Sequence, residues 1–173
     1  MEDEMAARRS QVGNLEIVFK KAVENDIPEL TEVMTRAFDD DTRRFRGNPA
    51  GGGPPGYNTG DFLRKWMGPG ICYRITKGDK AVGGFIVFIN KDGNNILGSI
   101  WVDPQYQNLG IGTEAIHFIE KTYPDAGKWS LGTPEWATRN HHFYEKCGYK
   151  KVGEEYNEEE DFTEFRYDKV MER

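Results

Sequence analysis

The chain has 173 residues, 37% of them hydrophobic and 13% aromatic, which suits one domain of ordinary size and argues against global disorder. A net charge of −6 disfavours a dedicated nucleic-acid binder, since that role needs a basic field over the surface. Two distant cysteines, Cys72 and Cys147, exclude a disulfide scaffold and a zinc ribbon, and the longest apolar run, Phe85 to Ile89, is far short of the ~20 residues of a spanning helix. The acidic start, Met1 to Ser10, has no apolar stretch, so the expected location is the cytoplasm.

Residues 1–14 show no periodicity and are expected to form a flexible lead-in to a single domain over residues 15–173. Leu15 to Lys20 alternates and predicts a strand with Ile17 and Phe19 on one face. Ile27, Leu30, Met34, Ala37 and Phe38 follow helical spacing after Asn25, Asp26 and Pro28, and that helix is expected to end at Asp39, Asp40 and Asp41. From Arg43 to Gly60 the composition turns to glycine, proline and asparagine, which predicts a long loop, and loops of that length are often lids. Asp61 to Met67 is read as a short helix. A meander follows, with strands over Ile71 to Thr76, Ala81 to Asn90 and Ile96 to Val102 joined by short turns. Then come a helix (Gly110 to Tyr123), a strand (Lys128 to Thr133), a helix (Thr138 to Cys147) and two closing strands. The pattern is α+β: a mixed, mostly antiparallel twisted sheet of about seven strands with helices on both faces. The crossover from Val102 to Lys128 should make one strand pair parallel.

The segment Val102-Asp103-Pro104-Gln105-Tyr106-Gln107-Asn108-Leu109-Gly110-Ile111-Gly112-Thr113 runs from a strand through a glycine-bearing loop into a helix. The first N–H groups of that helix lack intrahelical partners, and its dipole adds positive potential there. Gly110 and Gly112 present no side chain to hold a ligand away, so a phosphate is the natural guest. A P-loop ending in Gly-Lys-Ser/Thr is absent, which argues against an ATPase. Gly110-x-Gly112-x-x-Ala115 fits the dinucleotide fingerprint, with Glu135 placed where a ribose-binding acid would lie. An NAD-dependent oxidoreductase is therefore an alternative. Against it, a Pro-containing loop separates the strand from the first glycine.

Gln107-Asn108-Leu109-Gly110-Ile111-Gly112 also matches Gln-x-x-Gly-x-Gly, with Asn108 where a glycine is usual. A second block, Asn140-His141-His142-Phe143-Tyr144-Glu145-Lys146-Cys147-Gly148-Tyr149, is similar to Asn-…-Phe-Tyr-Glu-Lys-x-Gly-Phe. On these two blocks the chain resembles the GNAT superfamily of N-acetyltransferases from about Leu15 to Val170. The resemblance implies acetyl-CoA as acetyl donor, its pyrophosphate on Gln107, Asn108, Leu109, Gly110, Ile111, Gly112 and Thr113. It implies that Val102 lends backbone to the reacting carbonyl and that Asn140 and Phe143 border the pantetheine arm. It also implies that the strands flanking the crossover splay apart to admit that arm. At Tyr144 it implies the acid that returns a proton to the departing thiolate; the structural alternative is an aromatic at the edge of the core.

The implied reaction is transfer to a primary amine, carried by a small molecule or a peptide, by direct attack on the thioester. Neither nucleic acid nor membrane is an expected partner, and the expected state is a monomer or homodimer. A non-catalytic CoA-binding module is the other reading. Family members often place a glutamate on the strand before the loop, but Asn95 to Val102 contains no carboxylate. Glu135 is the substitute general base or else a surface acid in a turn, and Asp103 is the other option or else shapes its loop. The Asp39 to Asp41 cluster either draws a cationic acceptor or forms a solvated helix end balanced by Arg43, Arg44 and Arg46. Glu114-x-x-His117 imitates a fragment of a di-iron helix, but such a site needs four helices and a second copy, and the adjacent His141 and His142 cannot both aim at one metal, so no metal is expected.

Overall fold

The computed structural model describes residues 7–47 and 51–172. Its eight strands form one sheet in the order β1-β2-β3-β4-β5-β6-β8-β7. They are β1 (Arg8–Val12), β2 (Leu15–Lys21), β3 (Ile71–Lys77), β4 (Lys80–Phe88), β5 (Asn94–Val102), β6 (Lys128–Pro134), β7 (Lys150–Asn157) and β8 (Phe162–Val170). The helices are α1 (Ile27–Arg46), α2 (Asp61–Trp66), α3 (Ile111–Thr122) and α4 (Thr138–Lys146). The expected α+β fold holds, with one strand more than anticipated. That strand is β1, in a stretch read as part of a flexible lead-in. It pairs antiparallel with β2 from Arg8↔Phe19 to Val12↔Leu15. A turn at Gly13, with φ of 59°, closes the hairpin, and only Val12 enters the core, which is why apolar periodicity did not betray it. Residues 1–6 of the lead-in lie outside the described residues.

Helices cover both faces of the sheet. On one side α1 and α2 bury Ile27, Leu30, Met34, Ala37 and Leu63 with Cys72, Ile86 and Trp101. On the other, Ile111, Ala115, Phe118 and Ile119 of α3 pack with Phe19, Phe85, Trp129 and Tyr144. Among the described residues no helix is long and apolar enough to cross a membrane.

Helix α1 does not stop at its aspartates. It continues through Arg46 to Gly47, whose left-handed φ of 72° ends it. Arg43 and Arg44 pair with Asp40 at 3.2 and 3.0 Å, one turn on, and so extend the helix through the charged segment. The spacing Leu30, Met34, Ala37, Asp41 keeps to a single stripe, so Asp41 enters the protein on the track of the apolar residues.

Strands β5 and β6 are the parallel pair, and they part early. Only Asn94, Asn95 and Ile96 face Lys128, Trp129 and Ser130. Just beyond, the β4–β5 register slips at Gly98, between Ile86↔Ser99 and Val87↔Leu97, and such a bulge bends and twists its strand. A Cβ at Gly98 would lie 2.5 Å from the Phe88 ring, so the bulge needs glycine.

Candidate active site

Where β5 and β6 diverge, a cleft of about 430 Å³ opens between the end of α1, the outer half of β5, the α3 entry loop and α4. Its lower wall is strand backbone. Asp103 gives its N–H to the Val82 carbonyl of β4 at 2.8 Å, so alternation turns the Val102 N–H and C=O the other way, into the split. The Val102 carbonyl accepts from Gln107 Nε2 at 2.9 Å, which ties the loop to the strand.

The loop reaches α3 through two left-handed residues, Asn108 (φ 62°) and Gly110 (φ 97°). Gly110 is the N-cap, and no side chain caps the helix. The first N–H groups of α3 are thus unspent by side chains and open on the cleft, which Gly110, Ile111, Gly112 and Thr113 all line. A Cβ at Gly112 would press to 3.0 Å from the Phe143 ring, so this position admits α4 close against α3. The residues present suit a phosphate: bare backbone donors at a helix N-terminus, with Lys146 on the rim.

Tyr144 is buried on α4 and also lines the cleft. Burial pushes its hydroxyl well above the ordinary value of 10.0, with the nearby Cys147 and Asp41 adding to the rise, so it stays protonated. Across from it, Asp41 is buried and pairs through one carboxylate oxygen with Arg139 of α4. The other oxygen has no hydrogen-bond partner among the described residues and is not sealed from the cleft. Burial raises the Asp41 carboxyl above 3.8, the Arg139 guanidinium pulling the other way.

Most of the residues singled out in the sequence converge here: Val102, Gln107, Asn108, Gly110, Ile111, Gly112, Thr113, Asn140, Phe143 and Tyr144. Leu109 is exposed beside the cleft and contributes no lining. Asn140 lies inside α4, past its first residue Thr138, with Nδ2 donating to Thr133 Oγ1 at 3.4 Å. Gly148, at φ 98°, ends that helix.

Neither acid nominated as general base stands in the cleft. Glu135 is exposed past the end of β6, its N–H given to the Thr163 carbonyl at 2.8 Å. Asp103 is buried, takes Arg36 at 2.8 Å and caps the turn at Gln105 N (3.0 Å), so its carboxylate shapes the loop. Asp41 is the acid that reaches the site. Its place on the α1 stripe, four residues after Ala37, was the available signal; the expected helix end at Asp39 hid it.

The glycine-rich loop after α1 folds back onto it. Tyr57 is buried, donates to Asp39 Oδ1 at 2.5 Å and accepts from Gly51 N at 3.1 Å. Its ring meets Phe38 edge-on, and Phe38 lines the cleft. Asn48, Pro49 and Ala50, part of the expected lid, lie outside the described residues. The dinucleotide alternative finds no support in the topology, which has one parallel strand pair in place of a parallel sheet.

A family model described as the Acetyltransferase (GNAT) family matches residues 34–149. The uncharacterized protein YrkN of Bacillus subtilis (strain 168) is 37% identical over 145 residues, 82% of this chain and 77% of YrkN. Among solved structures, the ribosomal-protein-S18-alanine N-acetyltransferase of Escherichia coli superposes with a TM-score of 0.68 at 16% identity, over 91% of this chain and 95% of its own. A Bacillus subtilis acetyltransferase in complex with CoA gives 0.66 at 17% identity, over 89% and 98%. At such identities these two speak for the fold.

Proposed function

This chain belongs to the acetyltransferase (GNAT) family, and from that premise we propose that it moves an acetyl group from acetyl-CoA to a primary amine by direct attack on the thioester. One observation carries the reading. A single cleft brings together an uncapped helix N-terminus, a strand edge freed by the β5–β6 split, a protonated tyrosine and an acid with one open oxygen. The donor is a substrate, and a solved relative with CoA bound supports its identity.

The backbone N–H groups from Gly110 to Thr113 would receive the donor's pyrophosphate, with Gln107 holding the loop to the strand. Backbone along β5 to Val102 would pair with the pantetheine arm, with Asn140 and Phe143 on its other side. The Val102 N–H faces the split and would stabilise the developing oxyanion, a contribution of about 3 kcal/mol for one well-placed donor. Asp41 accepts a proton from the attacking amine; its raised pKa makes it a stronger base than a solvated carboxylate. Tyr144 gives a proton to the leaving sulfur. The nitrogen–carbon bond forms, the carbon–sulfur bond breaks, and one proton passes in net from amine to thiol. The cytoplasmic location expected from the sequence belongs to this reading.

The test is to incubate the full chain with acetyl-CoA and a panel of amines and follow free thiol. Acceptor-dependent release is the expected result. CoA binding without release for any amine would instead make the protein a cofactor-binding module.

A further inference from the structure

The acceptor end of the cleft invites a polycation on paper, because three aspartates stand in a row. In the fold none of them is free. Asp39 accepts from Tyr57, Asp40 lies between Arg43 and Arg44, and Asp41 is held by Arg139. Arg46 adds a further guanidinium, 5.3 Å over the Trp136 ring. Asp40 and Asp41 are thus met by three guanidinium groups, so the aspartate row offers little unpaired negative charge to a polycation. Within the described cleft lining Asp41 is the only acid.

Arg139 is poised in a particular way. One Nη is committed to Asp41, while its Nε is buried with no hydrogen-bond partner among the described residues. An amine that meets the open oxygen of Asp41 shares that carboxylate with Arg139, leaving a half-buried guanidinium with only part of its counter-charge. Stranding one member of such a pair is unfavourable. An acceptor with a carboxylate beside its amino group avoids that loss. Its amino group meets the open oxygen of Asp41, and its carboxylate takes the planar fork of Arg139, which suits bidentate carboxylate recognition.

We propose that the acceptor is an amino acid, its amine facing Asp41 and its adjacent carboxylate read by Arg139. This rests on the acetyltransferase reading above. The product is then the N-acetyl amino acid: the amine nitrogen bonds the acyl carbon, the thioester carbon–sulfur bond breaks, one amine proton goes to Asp41 and Tyr144 protonates the sulfur.

The experiment compares matched acceptors on the full chain with acetyl-CoA, following thiol release: free amino acids, their amides, the corresponding decarboxylated amines, and a polyamine. Amino acids should exceed their amides and amines by about ten- to a hundred-fold in kcat/KM, the effect of one charge-assisted contact. Arg139→Gln should erase that preference by raising KM for the amino acid, and Arg139→Lys should restore part of it. A wild-type ranking led by the polyamine or by neutral amines would overturn the proposal without any variant, even if Arg139→Gln fails to fold. So would an Arg139→Gln protein that loses all acceptors alike. Thiol release from some amine but no preference for the carboxylate sinks this inference alone, whereas CoA binding with no release from any acceptor sinks the acetyltransferase reading and this one with it.

Discussion

At its α3 end the cleft is made of backbone: N–H groups of a helix without a side-chain cap, a strand edge released by a bulge, and glycines where a Cβ would strike a neighbour. At its α1 end the same cleft is made of side chains from distant parts of the chain, Asp41 against Arg139, and Phe38, whose ring is backed by Tyr57. Backbone donors accept a ligand with little rearrangement. Charged side chains that already satisfy one another must exchange partners, so that end discriminates. The donor site is thus expected to be general and the acceptor site selective.

That contrast can be broken at several points. The largest effect is expected at Tyr144, to which the proposed mechanism assigns a step of the chemistry and no part in either binding end. Tyr144→Phe keeps the buried ring and removes the proton, so turnover should fall by about 10²–10⁴-fold with CoA affinity unchanged, as calorimetry and steady-state kinetics would register. Unchanged turnover, with chemistry rate-limiting, would remove Tyr144 from the mechanism.

Asp41→Asn should lower kcat/KM by about 10²-fold. Its pH profile is the sharper reading. In the proposed mechanism the ionised carboxylate is the active form, and burial raises its pKa above 3.8, so wild-type activity should fail on acidification earlier than an ordinary aspartate would dictate. The asparagine variant should lack that acid limb; a variant that keeps it would assign the limb to another group.

Gly112→Val tests the backbone end. Added carbons would press on the Phe143 ring, already 3.0 Å from an ideal Cβ. Overpacking of this kind costs about 1–3 kcal/mol, and a weakening of CoA binding by about tenfold or more is expected. Normal CoA affinity would show that the α3 entry is not the donor site.

The smallest effect belongs to Tyr57→Phe. Losing the hydroxyl between Asp39 and Gly51 should cost about 0.5–1.5 kcal/mol in urea unfolding and raise the acceptor KM a few-fold. CoA affinity should not move. If it does, the two ends are not separable.

The same contrast explains what could be read in advance. The α3 end is a contiguous run from Val102 to Thr113, and the function proposed for it rests on backbone geometry that glycines, a proline and helical spacing announce. The meander, the crossover, the helices on both faces and the second block around Tyr144 were legible for the same reason, since each is a local pattern. Strand β1 was not, because four of its five residues stay outside the core and its pairing partner, not its own composition, makes it a strand. Glu135 was misplaced for want of a third dimension. It follows a strand that does border the site's neighbourhood, yet the turn there carries it outward.

By itself, then, the sequence determined the order of elements from β2 onward, the glycine-bearing entry to α3 and the tyrosine-bearing second block, because each is encoded over a few neighbouring residues by spacing and steric limits. Only the tertiary structure decided which carboxylate enters the cleft and with what partner. Asp41 and Arg139 are 98 positions apart in the chain, and no local pattern couples them. What joins them is the meeting of α1 and α4 across the mouth of a split sheet, where the buried Asp41 carboxylate is partnered by the Arg139 guanidinium.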